Sequence, residues 1–322
     1  MNKFDFIRKL NRWGSEGTPF LFIIDFEMEN LFAEKLHDID PEQILFDFQG
    51  VTNAGKKMIL DTPVLMKKPI PQRVYIEKFD QVMIHLLRGD SFLTNLTTKT
   101  EIKTNIPLRD VFHAARARYK ILWENAFLVF SPETFVRIEN GWIVSNPMKG
   151  TIDALIPEAR KIILNDQKEF SEHVTIVDLI RNDLSQVAVD VTVRRFRYVE
   201  EIHTSDKVLL QISSEVAGKL SSDYRSRIGD ILFSLLPAGS VSGAPKAKTL
   251  EIIRSAEKEK RGYYTGVAGY FDGEKMDSCV MIRFIEKAGD TLYYRSGGGI
   301  TTQSIAANEY QEVIDKVYVP VD

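Results

Sequence analysis

The sequence predicts an α+β fold built on antiparallel sheets. Three observations point there: short apolar runs broken by turn residues recur along the chain, helical periods are interspersed among them, and the two never settle into the strand-helix-strand beat of a parallel sheet. Residues 20–66 hold the runs PFLFIIDF, QILFDFQG and PVLMKK, which read as an antiparallel meander. From Pro71 the period changes. Ile76, Phe79, Val82, Met83, Leu86 and Leu87 recur at three and four, so YIEKFDQVMIHLL is an amphipathic helix stopped at Gly89. The strand SFLTNLTTKTEI follows it. The pattern then reads as helix over 109–122, two strands over 126–145 turning at Glu139, Asn140 and Gly141, and one long helix over 158–184 through Phe170, Val174, Val177 and Leu184. Strands return over 186–218. Two helices, SRIGDILFSLLPAG and PKAKTLEIIRSAEKEKR, flank a Gly/Ser turn, strands cover 262–303, and a last helix runs over about 305–317.

Length and composition narrow the function classes. The 322 residues allow one large domain or two ordinary ones, and no linker, repeat or low-complexity tract divides them, so 1–322 is expected to be one domain. A hydrophobic fraction of 44% supplies a sizeable core and excludes disorder. The 42 basic and 45 acidic residues are well mixed, which leaves no electrostatic footprint for nucleic acid or an anionic membrane. A single cysteine, Cys279, excludes an internal disulfide framework and a thiolate zinc cluster. It suits a reducing compartment as a small core residue, and with no signal peptide or membrane span the protein is expected in the cytosol.

Two glycine loops invite nucleotide readings, and their spacing refuses them. In AGSVSGAPK (238–246) three residues separate Gly239 from Gly243 and Lys246 comes three later, whereas a phosphate loop needs four and then an adjacent lysine. What remains is a helix start whose amides, with Ser240 and Ser242, could seat a carboxylate, or simply a serine cap. SGGGI (296–300) is too short for a dinucleotide fingerprint, although glycines there let a backbone approach a ligand closely.

Carboxylates come in pairs on two helices. KEFSEHV places Glu169 and Glu172 at i and i+3, and NEYQEVIDK does the same for Glu309 and Glu312. Each pair alone is an ordinary solvated face. Two such helices converging would suit magnesium, which takes oxygen ligands and keeps waters; the five histidines lack H-x-x-x-H spacing and disfavour zinc.

Six segments, NPMKGTI, SEHVTIVDLIRNDLSQVA, PAGSVSGAPKAKTLEII, RGYYTGVAGYFD, MIR and SGGGITTQSIAANEYQEVIDK, resemble in order and spacing the chorismate-utilising enzymes. The resemblance covers roughly residues 72 to 318, with 1–70 a shortened N-terminal strand region ahead of motifs in 71–318. It implies a single α+β domain of two large antiparallel sheets packed together with helices outside. The lysine of PMKGT resembles the branch that forms aminodeoxychorismate, where anthranilate-forming members usually carry alanine.

Carried over residue by residue, the resemblance implies that Glu172 and Glu312 bind Mg2+, with Glu169 and Glu309 behind water, and that the metal holds the ring carboxylate of chorismate. It implies that Arg283 and Tyr264 hold the enolpyruvyl carboxylate, that Gly298 and Gly299 donate backbone amides, and that Ser240 and Thr151 give hydroxyl contacts with Lys316 nearby. Lys149 would be the nucleophile at C2 and Glu133 the acid that protonates the departing C4 hydroxyl. A free lysine is protonated at neutral pH, so burial and the nearby magnesium and Arg283 charges are expected to lower the pKa of Lys149 to about 7 or 8. Glu133 is expected to be raised by burial.

The sequence also departs from the family. Gln211 stands in QISSEVAGKL where members usually carry histidine, and no Leu-Leu-Glu-Ser stretch of tryptophan-regulated members is present. No recognisable cysteine and histidine setting for glutamine hydrolysis is found, so ammonia is expected from a separate glutaminase subunit. Anthranilate, isochorismate or salicylate synthesis, and a non-catalytic chorismate-binding relative, are the alternatives.

Overall fold

The computed structural model describes residues 1–59, 61–203 and 208–321. The chain opens with helix α1 (Lys3–Ser15), capped by Asn2, whose side chain accepts the Asp5 amide; no helix was expected there. Strands β1 (Phe20–Ile24) and β2 (Leu31–Lys35) follow, then β3 (Ile44–Phe48), β4 (Val51–Thr52) and β5 (Leu65–Lys68). Next come α2 (Gln72–Leu87), β6 (Leu93–Thr104) and α3 (Leu108–Ala114). Five strands succeed them: β7 (Tyr119–Trp123), β8 (Phe127–Ser131), β9 (Thr134–Glu139), β10 (Trp142–Ser145) and β11 (Met148–Asp153). Helices α4 (Ala159–Asn165) and α5 (Gln167–Ser185) lead to β12 (Val189–His203) and β13 (Val208–Lys219). Then come α6 (Ile228–Leu235), β14 (Gly243–Ala244) and α7 (Lys246–Glu257). The chain finishes with β15 (Val267–Phe271), β16 (Met276–Val280), β17 (Phe284–Ala288), β18 (Thr291–Ile300) and α8 (Ala306–Asp315).

Among the described residues the strands form two nine-stranded antiparallel sheets. Sheet I runs β11-β13-β10-β9-β16-β15-β1-β2 with β12 also on β13, and sheet II runs β14-β6-β18-β17-β8-β7-β3-β4 with β5 on β6. Leu21, Ile23, Ala268 and Cys279 of sheet I meet Phe46, Ile121, Val129 and Phe284 of sheet II in the core between them. Cys279 is fully buried there. Outside sheet I, Phe6 and Leu10 of α1 pack with Leu232 of α6 and Ile180 of α5; outside sheet II, Phe79 of α2, Ile252 of α7 and Val313 of α8 close on Leu96 and Ile300. No helix among the described residues is long and apolar enough to cross a membrane.

The expected α+β class and antiparallel sheets hold, and four local readings are corrected. The strands over 20–66 are not one meander, because β1 and β2 join sheet I while β3, β4 and β5 join sheet II. The helix over 109–122 stops at Ala114: Ala115 turns extended (ψ 138°) and β7 begins at Tyr119. The region 126–145 holds three strands, since Pro132 and Glu133 carry the chain from sheet II to sheet I between β8 and β9. The long helix over 158–184 is two, broken at Asp166, whose side chain caps α5 by accepting the Glu169 amide at 2.9 Å. The predicted strands over 186–218 appear as β12 and β13, with 204–207 outside the described residues.

Candidate active site

Two sheet crossings place the first charged pair. Pro132 and Glu133 lead from β8 in sheet II to β9 in sheet I, and Met281, Ile282 and Arg283 lead back from β16 to β17. Hydrogen bonds pin the crossings side by side: Val280 N–H donates to the Glu133 carbonyl at 3.1 Å, Phe130 N–H to the Arg283 carbonyl at 3.1 Å, and the Ser131 hydroxyl to the Val280 carbonyl at 2.7 Å. Arg283 adopts the left-handed region (φ 54°), uncommon for a residue with a long side chain. Its guanidinium lies over the Tyr318 ring, 5.2 Å from the centroid.

A β-bulge places Lys149. Met148 pairs with Ser213 and Thr151 with Gln211, so β11 spends one residue more than β13 across Lys149 and Gly150. Such an extra residue bends a strand and re-aims a side chain. Gly150 takes φ 83°, and a Cβ on it would sit 3.1 Å from Glu169 Oε2, so glycine lets β11 and α5 approach. Lys149 Nζ lies 2.6 Å from Oε2 of Glu172, a side chain only 5% exposed.

The glycine run of β18 and helix α8 complete the site. β17 pairs with β18 only as far as Arg295, so beyond it β18 keeps β6 on one edge and leaves the other open beside Arg283. Successive strand residues point their N–H groups to opposite edges, so one of Gly298 and Gly299 can offer its amide there while the other faces β6. A Cβ on Gly298 would lie 3.5 Å from Glu309 Oε2 and 3.5 Å from Glu312 Oε1, and one on Gly299 would lie 3.8 Å from Lys149 Nζ. Lys316 Nζ is 2.6 Å from Glu312 Oε1 and donates to the Gly297 carbonyl at 2.8 Å.

Charges act on one another across this pocket. Burial raises the Glu133 carboxyl above its ordinary pKa, although its hydrogen bond from the Ser240 hydroxyl and the charges of Arg283, Lys149 and Lys316 all pull it down. Burial favours a neutral Lys149 amine, but Glu172, Glu169 and Glu312 together outweigh it, and the net direction is up. The expected lowering to 7 or 8 is therefore corrected: a carboxylate in contact holds this lysine as an ammonium. Lys316 is lowered, first by burial and then by Arg283 and Lys149 against the pull of Glu312. Burial raises the Tyr264 phenol, which stays protonated.

The structure thus brings Glu133, Lys149, Arg283, Lys316 and the carboxylates of α5 and α8 to one place. Tyr264 lies buried with its ring 5.8 Å from Phe284, the residue after Arg283. Thr151 is exposed on β11 opposite Gln211. Ser240 faces Glu133 rather than standing alone as a substrate contact, and the serine-cap reading fails, because α7 starts at Lys246 after Pro245 without a side-chain cap. Ser242 instead donates to the Ala238 and Gly239 carbonyls. Among the described residues no three His, Cys, Asp or Glu side chains already form a metal cage. The donor set is nevertheless all carboxylate oxygen, with lysine ammonium groups 2.6 Å from two of its members, and magnesium needs only one or two protein carboxylates alongside waters.

Comparison with known proteins gives the family. The family model for chorismate binding enzymes matches residues 52–322. The chain belongs to that family. An uncharacterized PabA-like protein of Haemophilus influenzae is 47% identical over 98% of this chain and 97% of its own length. Aminodeoxychorismate synthase component 1 of Salmonella typhimurium is 35% identical over 76% of this chain, which spans 56% of that relative. The crystal structure of anthranilate synthase component I from Streptococcus pneumoniae superposes with a TM-score of 0.69 at 28% identity, covering 81% of this chain and 60% of that one.

Sequence reasoning missed several buried polar groups on the elements around this pocket. Arg261 and Glu257 form a pair 1% exposed that ties α7 to β6 and to the turn bearing Ser240; the helical pattern expected through Arg261 gave them i, i+4 spacing, although α7 ends at Glu257. Lys246 donates to Asp183 at 2.7 Å, tying α7 to α5. His173, beside Glu172, is fully buried and bonds Ser214 at 2.7 Å, and burial with Arg197 and Lys149 lowers its pKa to about 4. No local pattern separated it from the other four histidines.

Proposed function

We propose that this chorismate-binding enzyme converts chorismate and ammonia to 4-amino-4-deoxychorismate in the cytosol, with Mg2+ required and ammonia supplied by a separate glutaminase subunit. The observation that carries the reading is Lys149, turned by a bulge onto Glu172 in the same pocket as the raised carboxyl of Glu133.

Arg283 pairs with the enolpyruvyl carboxylate, a planar guanidinium matching a planar anion, and the Tyr264 phenol donates beside it. Glu172 and Glu312, backed by Glu169 and Glu309, would hold magnesium, which supplies positive charge to the substrate's ring carboxylate. With the charges of Glu172, Glu169 and Glu312 all engaged by the cation, burial, the largest single influence on Lys149, favours the neutral amine.

Glu133 gives its proton to the C4 hydroxyl as that C–O bond breaks and Lys149 Nζ bonds to C2, both conjugated ring double bonds shifting by one position through C1, C6 and C5; water leaves, and the shift reverses when the lysine departs. Ammonia then bonds to C4, the C2–N bond to Lys149 breaks, and the surplus proton of ammonia restores Glu133. Direct addition of ammonia at C2 would be the anthranilate-type outcome, so Lys149 sets where nitrogen arrives. Incubating the purified chain with chorismate, magnesium and an ammonium salt, with and without EDTA, tests this. Aminodeoxychorismate that disappears with EDTA is expected; anthranilate, isochorismate or salicylate as the product would replace the reading.

A further inference from the structure

The half of α5 that carries Glu169 and Glu172 has little apolar anchorage. Among the described residues of 167–175 only Glu172 and His173 are buried, while Phe170 and Val174 are each 39% exposed. Apolar burial of the helix begins at Ile176 and continues through Val177, Leu179, Ile180 and Leu184. Beyond edge contacts of Phe170 and His173 with the Phe196 ring, what holds the first two turns is polar. His173 Nε2 meets the Ser214 hydroxyl of β13 at 2.7 Å, and both residues are 0% exposed.

Ser214 is a junction of four elements. Its hydroxyl accepts the backbone N–H of Arg197 on β12 at 2.9 Å and shares a second hydrogen bond with His173 Nε2 on α5. Its backbone N–H donates to the Pro147 carbonyl at 3.0 Å, two residues before Lys149. It thus touches the strand leading to the Lys149 bulge and the helix bearing Glu172, the two sides of the 2.6 Å contact. Arg197 adds to this clasp by donating to the Leu164 and Ile163 carbonyls at 2.9 and 3.3 Å, and its guanidinium covers the Phe170 ring.

We propose that Ser214 is a positioning residue, holding the first turns of α5 against β13 so that Glu169 and Glu172 stand in register with Lys149. This rests on the function proposed above only for its kinetic consequence.

Ser214→Ala removes both hydroxyl bonds and leaves the Pro147 bond, so α5 loosens while β11 stays. Ser213→Ala is the matched control: that hydroxyl is equally buried and bonds Glu200 of β12 at 2.5 Å, and the substitution leaves the backbone pairing of Ser213 with Met148 of β11 in place. Hydrogen-deuterium exchange, thermal unfolding and steady-state kinetics are measured on both. Ser214→Ala should speed amide exchange over 167–175 at least tenfold. It should also lower kcat roughly 10- to 100-fold, with KM for chorismate within about threefold, because a small misplacement costs rate rather than binding. Ser213→Ala should lose comparable stability and keep both exchange and kcat. If Ser214→Ala does not fold, His173→Leu, which fills the volume without the ring nitrogen that meets Ser214, should give the same exchange and kinetic signature. Unchanged exchange over 167–175 in a folded Ser214→Ala or His173→Leu, or an equal kcat loss in Ser213→Ala, overturns the proposal. A wild type that makes no aminodeoxychorismate, with exchange still raised in Ser214→Ala, would sink the function and leave the positioning role standing.

Discussion

Arg261 and Lys149 are both cations set against a buried glutamate, and they differ in how completely they are satisfied. Arg261 spends all five of its N–H donors: two on Glu257, two on the Val241 and Asn95 carbonyls, and one on the Thr265 hydroxyl at 3.5 Å. Glu257 in turn accepts the Thr97 amide at 2.8 Å. Lys149 has a close ion pair with Glu172, sits 28% exposed, and shares its pocket with Arg283, Lys316 and Glu133. A saturated network in a dry interior fixes one geometry. A cluster of mixed charges whose pKa values are pulled in opposite directions, Lys149 up and Lys316 down, can take up or release a proton or a ligand. One pair makes the frame, and the other is open to chemistry.

That contrast can be broken by three substitutions. Arg261→Ala should have the largest effect, leaving Glu257 charged and buried without its partner, at a cost of about 3–5 kcal/mol in stability. Urea unfolding measures it, and a loss below about 1 kcal/mol would remove the distinction. Lys149→Ala should reverse the pattern. Aminodeoxychorismate formation falls by on the order of 10²-fold or more, about 2.7 kcal/mol of barrier, while chorismate binding stays near wild type and the stability loss is smaller than that of Arg261→Ala, because the pocket around Glu172 is open to water. Calorimetric binding next to turnover shows whether the two separate, and a variant that folds poorly would place Lys149 with the frame.

Ser240→Ala sharpens the comparison with the smallest effect. The Ser240 hydroxyl favours the charged form of Glu133, so its loss moves that carboxyl further above its ordinary value. A general acid works while protonated, and activity is lost as pH rises through its pKa. The alkaline fall of kcat/KM should therefore move to higher pH, with the maximal rate changed less than about tenfold. A shift to lower pH would assign that limb to another group.

Much of the frame was legible because it is periodic. The apolar stripe of α2 and its stop at Gly89, the strand β6 and the last helix follow from local pattern. The errors fall where the deciding contact is distant. Nothing within 20–66 says that β2 and β3 belong to different sheets, and the apolar residues Tyr119, Ile121 and Leu122 continue the spacing of α3 although they pair in β7. The break at Asp166 was readable, since Asp166 and Glu169 have the spacing of a helix cap. Site residues were legible as motif positions. The charge on Lys149 was not, because Glu172 reaches it from a helix twenty-three residues on, across a bulge that only strand pairing reveals.

The central claim is that Lys149 bonds covalently to the substrate. The wild-type chain mixed with chorismate and magnesium in the absence of ammonia, quenched in denaturant and digested, should show by mass spectrometry a chorismate-derived adduct on the peptide containing Lys149. Lys149→Ala should show none. No adduct on that peptide, together with an alanine variant that makes aminodeoxychorismate at the wild-type rate, would mean that ammonia attacks the substrate directly and that Lys149 serves only as a pocket cation.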